Sequence, residues 1–333
     1  MPLSPSLRER LVRYDELRPC TNAFIDARSP GSDKKENFTI IGPGVAENPH
    51  QYVHITEPHG FNIGAARQPP GCTNSLHSHT TAEVFVIHTG RWRFFWGEHG
   101  DAGEVFLVPG DTISIPTNVF RGFENVGDDV GFMFAVLGGD DPGRVHWAPH
   151  VIEKAAGYGL VLLESGRLID TTEGEQIPAG AAVVHPSSRG EIAHIRTPLA
   201  SEMAVNVARG AAAEPMAGAV FGAEAIRESV VIGNSHADTS QAQIAPMHQF
   251  GLHKFAFDAG AASPAYTRSG PEVLLVQAGE LAWSNDAGDE VLLAPGDTFT
   301  VPSGMRRRLR ALSKAELFVV ATEAATLADA GAA

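Results

Sequence analysis

Residues 105–116 read VFLVPGDTISIP, and residues 291–302 read VLLAPGDTFTVP. Each stretch consists of an apolar strand, a Pro-Gly-Asp turn, a second strand of alternating polarity and a closing proline. The glycines of the two turns, Gly110 and Gly296, lie 186 residues apart. Because an ordered pattern that recurs along a chain marks an internal repeat, the sequence predicts two copies of one β-rich domain.

The repeat continues upstream of the turns. Three residues recur 189 positions later in the same order: Gly71 as Gly260, Glu83 as Glu272, and Gly90 as Gly279. The difference of three residues between the two offsets falls in the hairpin that begins at Trp96 in the first copy and at Asn285 in the second. Changes of length are best tolerated at hairpin tips, so the repeat stays in register on either side.

Composition supports a protein built of short strands. The 333 residues include 35 glycines and 22 prolines, and 43% of the residues are hydrophobic. Such frequent turn residues favour an all-β fold with few short helices. We expect those helices over residues 4–13 and 149–156.

Charge and targeting signals exclude several classes of function. The net charge of −14 argues against nucleic acids and anionic membranes as partners, since both attract positive surfaces. Residues 1–13 contain no apolar run typical of a signal peptide, and no stretch is long enough to span a membrane. The two cysteines form no CxxC motif. We therefore expect a cytoplasmic protein with free thiols.

Potential metal ligands are concentrated in the first copy. His77 and His79 are two residues apart, so on a strand both side chains project from one face. Glu83 follows a short polar break and begins an apolar run. Two imidazoles and a carboxylate suit a divalent transition metal such as Fe, Mn, Ni, Cu or Zn, and leave coordination positions open. The alternative is a polar cluster inside the barrel without a metal.

These residues carry a resemblance to the cupin family. The first copy reads Gly71-x5-His77-x-His79-x3-Glu83-x6-Gly90, followed by Gly110-x5-Pro116-x-Asn118-x2-Arg121-x3-Asn125. The first string has the full spacing of the first cupin motif, and the second matches the second motif except at Asn118 and Arg121. The resemblance implies a bicupin, that is, two double-stranded β-helix (jelly-roll) barrels formed by an internal repeat.

Arg121 is the principal departure from the family. Cupins usually supply another histidine ligand at this position, whereas a guanidinium stays protonated and has no lone pair for a metal. Two roles are open for Arg121: it binds an anionic group of the substrate as a catalytic residue, or it pairs with Glu83. His54 and His88 have no counterpart in the second copy, and either is a weak candidate for the missing ligand.

The second copy has lost the histidines. Tyr266 and Arg268 replace them, while Glu272 is kept and Arg307 occupies the position of Arg121. A Glu–Arg pair without histidines is more typical of a structural ion pair. We expect an N-terminal cupin barrel with an N-terminal extension over residues 1–150, an inter-domain region over 151–215, and a degenerate C-terminal barrel over 216–333.

Three functions are compatible with this pattern. The first is a metal-dependent dioxygenase that acts on an aromatic or enolic small molecule in the first barrel; this reading resembles quercetinase-type bicupins and, more distantly, gentisate-cleaving enzymes. It accords with the aromatic run from Trp92 to Trp96 in the first copy. The second is an oxygen-independent isomerase, decarboxylase or lyase. The third is a non-catalytic binding module. By analogy with bicupins we expect a homodimer.

Overall fold

The structure, a computed structural model, describes residues 5–212, 221, 224–233, 241–246, 248–322 and 325–327. It divides into two compact units. The first unit is Arg18–Val207, and the second combines the described residues up to Leu17 with those from Ala208 onward. Both units consist mostly of strands, which confirms the predicted all-β fold.

Helices are few and short in the described ranges. The α-helices are α1 (Pro5–Arg8), α2 (Pro149–Ala156) and α3 (Ala200–Ala204). The prediction over residues 149–156 is confirmed by α2, which has proline at its first turn and ends at Gly157. The predicted helix over residues 4–13 is shorter than expected, because a strand follows α1 at Leu11. None of the helices in the described part of the chain has the length and apolar character needed to cross a membrane.

The described residues form twenty-five strands. The first fifteen are β1 (Leu11–Val12), β2 (Glu36–Ile41), β3 (Val53–Ile55), β4 (Phe61–Gln68), β5 (Thr73–Ser78), β6 (Glu83–Thr89), β7 (Trp92–Trp96), β8 (Gly103–Leu107), β9 (Thr112–Ile115), β10 (Arg121–Asn125), β11 (Gly131–Gly138), β12 (His146–Trp147), β13 (Leu160–Leu162), β14 (Leu168–Asp170) and β15 (Val207–Ala208). The remaining ten are β16 (Ile226–Ile232), β17 (Gly251–Phe257), β18 (Tyr266–Arg268), β19 (Glu272–Ala278), β20 (Leu281–Asn285), β21 (Glu290–Leu293), β22 (Thr298–Val301), β23 (Arg307–Ala311), β24 (Ala315–Ala321) and β25 (Ala325–Leu327).

The first unit contains a barrel of two main sheets. One sheet follows the order β12-β5-β10-β7-β8, and in the other the strands of this unit follow the order β9-β6-β11-β4-β2-β3. Strand β7 shows how the core forms: Trp92, Phe94 and Trp96 are buried, while the two residues between them are partly exposed. This alternation is the period of a half-buried strand, so the aromatic run noted in the sequence fills the barrel interior.

Residues after the first barrel pack onto it rather than forming a separate region. Apolar residues of α2 and of β13–β14, among them Val151, Ile152 and Leu160, form one cluster with Leu76 and Trp147 of the barrel. The expected inter-domain region, 151–215, therefore belongs to the first unit as far as Val207. The expected start of the C-terminal barrel, residue 216, lies outside the described residues.

The second unit repeats the barrel with sheets β1-β22-β19-β24-β17-β16 and β21-β20-β23-β18-β25. Strand β1, at the chain start, pairs with β22 of this unit. Arg13 and the backbone N–H of Tyr14 also bind Asp297, in its Pro-Gly-Asp turn. The expectation that the N-terminal extension belongs to the first barrel therefore differs from the structure, in which residues up to Leu17 complete the second unit.

The repeated Pro-Gly-Asp turns have the same structure in both barrels. Gly110 and Gly296 have φ angles of +88° and +85°, which glycine adopts without steric cost. The aspartate that follows accepts a backbone hydrogen bond in each copy, from Val108 to Asp111 and from Ala294 to Asp297. The sequence repeat therefore reflects a repeated turn.

Candidate metal centre

Two strands and one loop bring the sequence-predicted donors together. His77 lies in β5, His79 follows directly after that strand, and Glu83 begins β6. One ligand atom from each of the three residues lies within 4.8 Å of the others, and all three residues are buried. Donors that bind one such ion at about 2.0–2.2 Å lie roughly 3–4.4 Å apart. The observed spacing therefore needs only a small contraction to hold an ion.

His77 presents its Nε2 atom for ligation. Its Nδ1 lies 2.8 Å from the carbonyl oxygen of Ser75. Because a carbonyl only accepts hydrogen bonds, Nδ1 carries the proton and Nε2 keeps its lone pair. Burial, with smaller contributions from Arg121 and His79, lowers the pKa of His77 well below its usual value. The imidazole is therefore neutral at pH 7, as a metal ligand must be.

His79 is a buried polar side chain that its surroundings satisfy poorly. Neither ring nitrogen has a hydrogen bond of good geometry to another described residue, although the side chain is almost fully buried and the backbone of Arg144 lies near the ring. Burial and then the charge of Arg121 lower the pKa of His79 well below its usual value. A neutral, buried imidazole with no hydrogen bond loses favourable interactions with water, and a metal ion would replace them.

Glu83 is shared between the donor set and Arg121. Its Oε2 lies 3.6 Å from Nε2 of His79 and accepts a hydrogen bond from Nη2 of Arg121. Nη1 of the same guanidinium donates to the carbonyl of His77 at 2.7 Å. Burial raises the pKa of Glu83, and the Arg121 charge opposes this shift. Of the two roles left open for Arg121, the structure shows the pairing with Glu83.

A buried ion pair supports the strand that carries His77. Lys35 and Asp26 are fully buried and bound to each other. Lys35 also donates to Oδ1 of Asn74 at 2.7 Å, and Asp26 accepts from the backbone N–H of Ser75 at 3.0 Å. Since the Ser75 carbonyl orients His77, this pair fixes the backbone on which the ligand depends. No sequence pattern marks this pair, because an isolated lysine and an isolated aspartate usually indicate solvent-exposed positions.

A small cavity opens at the donor set. It has about 70 Å³ of space open to water-sized molecules, and His77, His79 and Glu83 are among its lining residues. Most of the remaining wall is apolar and includes Phe24, Phe38, Phe85, Phe123, Leu137 and Trp147. The ring of Trp147 lies 5.2 Å from that of His77. Arg121 is not part of the wall, so it acts on the cavity through Glu83.

The two remaining histidine candidates do not join the donor set. Nε2 of His54 accepts from the backbone N–H of Arg18, and its Nδ1 lies 2.8 Å from the carbonyl of Thr39. His88 packs against the rings of Phe132 and Phe134. Neither belongs to the single ligand group found within the described ranges.

In the second barrel, arginines occupy the corresponding space. Arg268 donates to Oε1 of Glu272 at 2.7 Å, and Arg307 donates to Oε2 at 2.9 Å. Tyr266 donates to the same carboxylate at 3.1 Å. Burial tends to raise the pKa of Glu272, but the two arginines together hold it below its usual value. The carboxylate is saturated with donors, so this barrel has a structural ion cluster in place of a metal site.

Comparison with known families agrees with this architecture. The Cupin domain family matches residues 65–137 and 253–322, one match in each barrel. The chain contains two cupin domains, the arrangement called a bicupin. No curated protein matches its sequence.

Solved structures show the same fold at low identity. A point mutant of oxalate decarboxylase from Bacillus subtilis aligns with a TM-score of 0.58 and 12% identity, over 96% of this bicupin and 79% of the enzyme. Another structure of that enzyme, described by its Mn(II) centres, aligns with a TM-score of 0.57 and 10% identity over the same shares. Vicilin from hazelnut, Corylus avellana, aligns with a TM-score of 0.53 and 12% identity, over 96% of this chain and 88% of vicilin. At these identities, the likeness concerns the fold.

The donor set of this bicupin fits a divalent transition metal. Two neutral imidazoles and a carboxylate are the ligands such ions prefer, and His79 has no other partner among the described side chains. The cofactor of this bicupin is therefore a divalent transition metal, which His77, His79 and Glu83 would hold and which would supply Lewis-acid chemistry.

Proposed function

We propose that this bicupin is a metal-dependent oxygenase whose first barrel acts on a small aromatic or enolic molecule, with His77, His79 and Glu83 as the metal ligands. The observation that carries the proposal is the position of the buried donor set in a cavity with a mostly apolar, partly aromatic wall. Apolar pockets with a few convergent polar groups are typical of small-molecule sites. Among bicupins, the first barrel resembles the quercetinase-type dioxygenases that keep metal in the N-terminal barrel only.

Each residue has a distinct role in this proposal. The two imidazoles remain neutral and bind the ion through ring nitrogens. Glu83 supplies the negative charge, and Arg121 holds its carboxylate in place. Arg121 is thus a positioning residue whose catalytic contribution passes through Glu83. The apolar wall excludes water and packs against the carbon skeleton of the substrate.

A second candidate is an oxygen-independent reaction, such as decarboxylation of a compact acid. Two observations favour it: the cavity at the donor set is small, and oxalate decarboxylase is among the proteins with this fold. In that reaction the same ligands would bind the acid through its oxygens, and the product would be carbon dioxide rather than an oxygenated molecule.

Two measurements distinguish the candidates. Elemental analysis of the purified protein should find about one metal ion per chain, and the His77→Ala/His79→Ala variant should contain none. The exposed His50→Ala variant is the matched control. Oxygen uptake with catechols, gentisate or flavonols supports the oxygenase. Release of carbon dioxide from acids under anaerobic conditions supports the second candidate instead.

Two results would contradict both candidate enzymatic functions. Substoichiometric metal without turnover is one, and ligand affinity that is unchanged in the double histidine variant is the other. Either result would favour the non-catalytic binding module. We further propose a homodimer, which light scattering of the purified protein tests.

A further inference from the structure

A second cavity adjoins the cavity at the metal centre within the first unit. It has about 230 Å³ of space open to water-sized molecules, against about 70 Å³ at the donor set. The two cavities share a wall made of Gly44, Val45, Ala46, Val145 and Trp147. The two cavities therefore adjoin at these five residues.

Trp147 connects the two cavities chemically. Its backbone pairs with that of His77 across β12 and β5, and its ring packs on the imidazole. On the other side, its indole N–H donates to Oε1 of Glu47 at 2.6 Å. Glu47 lines only the larger cavity. One side chain thus contacts a metal ligand and a buried acid that the proposed reaction does not use.

The polar groups of the second cavity favour an anion. Its lining includes Arg144, His146 and His185 in a chain whose net charge is −14. Nη1 of Arg144 donates to the carbonyl of Glu164 at 2.6 Å, and no carboxylate of a described residue lies within salt-bridge distance of this guanidinium. Arg144 thus has donors and an uncompensated charge available for a carboxylate.

The two lining acids do not cancel that charge. Burial raises the pKa of Glu47 to about 8, against the opposing hydrogen bonds from Trp147 and Ile25, so its carboxyl is largely neutral at pH 7. The other acid, Glu164, has an exposed side chain and contributes its carbonyl to Arg144. Neither lining acid therefore forms an ion pair with Arg144, whose side chain keeps its positive charge.

We propose that the second cavity is a subsite for the carboxylate of a two-ended acid, whose other end reaches the His77–His79–Glu83 centre through an oxygen atom. This inference rests on the proposed function for the role of the metal end, but the Arg144 end is independent of it. It specifies an acid in which a carbon skeleton separates the carboxylate from the metal-binding oxygen.

The test compares a carboxylate with its neutral amide. Binding of 2,5-dihydroxybenzoate and 2,5-dihydroxybenzamide to the metal-loaded protein is measured by calorimetry, for wild type and for Arg144→Gln. We expect the wild type to bind the acid about tenfold more tightly than the amide. In Arg144→Gln this preference should disappear, while affinity for the amide and the metal content stay unchanged. Arg308→Gln, an exposed arginine of the second unit, carries the same charge change and should keep the preference.

The outcomes separate this inference from the proposed function. An equal preference in wild type and Arg144→Gln overturns the subsite, and so does the absence of any preference in wild type. If the His77→Ala/His79→Ala variant still prefers the acid in an Arg144-dependent way, the subsite holds and the metal end of the proposal fails. If the protein shows the expected binding preference but consumes no oxygen, the proposed function fails and the subsite stands. Because Arg144 is exposed, its replacement should leave the melting temperature nearly unchanged.

Discussion

Arg121 donates a hydrogen bond from Nη2 to Oε2 of Glu83, and both side chains are almost entirely buried. The carboxylate of the proposed metal donor set is thus also the counter-ion of a buried guanidinium. Two buried charges that satisfy each other are costly to separate, because removal of one leaves the other unpaired. The pair therefore links the stability of the first barrel to the binding of its metal.

Replacement of Arg121 should expose this link. In Arg121→Gln, Glu83 loses its cationic partner, and we expect the metal-free protein to lose about 3–5 kcal/mol of unfolding free energy. A divalent ion such as Mn²⁺ or Zn²⁺ should restore much of this loss, since it supplies positive charge to the same carboxylate. Urea unfolding with and without metal measures both effects.

The second barrel provides the control for this variant. In Arg307→Gln, Glu272 keeps its bond to Arg268. Arg268 occupies the position that His79 has in the first barrel, so no place is left for an ion. Any stability lost should therefore not be recovered with metal. Equal recovery of the two variants, or no recovery of Arg121→Gln, would contradict a metal role for Glu83.

A histidine at position 121 should strengthen metal binding. The Cα atoms of Arg121 and His77 face each other across β10 and β5, so a side chain at position 121 starts next to the donor set. Arg121→His would add a neutral imidazole and remove a repelling charge. We expect at least about tenfold tighter binding of Zn²⁺ or Mn²⁺, measured by competition with a chelator of known affinity.

The matched substitution again lies in the second barrel. Arg307→His adds an imidazole beside Tyr266 and Arg268, and it should create no metal affinity. If Arg121→His leaves the affinity unchanged, position 121 does not face the ion, and the cupin second motif cannot be restored at this residue.

The ion pair of Lys35 and Asp26 should govern metal affinity separately from stability. Lys35→Met alone leaves Asp26 buried without its cation and should cost about 3–5 kcal/mol. The double variant Lys35→Met/Asp26→Leu removes both charges, so its unfolding free energy should be much closer to that of wild type. Its metal affinity should still fall by about 10–100-fold, because the backbone N–H of Ser75 loses its acceptor and His77 is less well oriented.

Denaturant unfolding and metal titration of the same samples test this separation. An unaltered metal affinity in the double variant would show that Ser75 and His77 keep their positions without the ion pair. The pair would then be structural only. The Arg13→Met/Asp297→Leu variant, which removes an ion pair of the second unit, should leave metal affinity unchanged.

The sequence predicted the fold and the donor set because both are marked by local patterns, of which the turns repeat and the histidines do not. Each of these patterns can be recognised within a stretch of a few residues. They are the turn at Gly110, the turn at Gly296, and the spacing of His77, His79 and Glu83. The Lys35–Asp26 pair and the contact between Glu47 and Trp147 join segments distant in sequence, and no period or motif marks them. They become visible only once the barrel brings those segments together.

The N-terminal segment escaped prediction for a related reason. Its pairing through Leu11 and Val12 is a two-residue strand added to the edge of β22 in the second unit. A strand of two residues is too short to show an alternation of polar and apolar residues. The segment was therefore assigned to the first barrel, which is nearest to it in sequence. The Arg13–Asp297 ion pair that anchors it spans almost the whole chain.

Glu47 should make the stability of the protein depend on pH. Burial raises its pKa to about 8 in the folded state, whereas the ordinary value for glutamate, 4.5, applies when the chain is unfolded. Between these values the folded state binds the proton and the unfolded state has released it, so ionisation favours unfolding. The stabilising contribution is complete below pH 4.5 and is lost as the pH rises through about 8. Between about pH 5 and about pH 8, the stability lost through ionisation of Glu47 amounts to roughly 3–4 kcal/mol.

Comparison with Glu47→Gln isolates this contribution. The amide stays neutral at every pH, so the stability difference between Glu47→Gln and wild type should change in favour of the variant as the pH rises from about 5 to about 8. The nearby charges of Asp26 and Lys35 are present in both proteins, and other titrating groups cancel in the difference. Urea unfolding in the presence of a chelator excludes metal effects, and Glu98→Gln, an exposed position, is the control. A pH-independent difference would show that Glu47 is ionised in the folded protein, and that its hydrogen bonds from Trp147 and Ile25 outweigh the cost of burial.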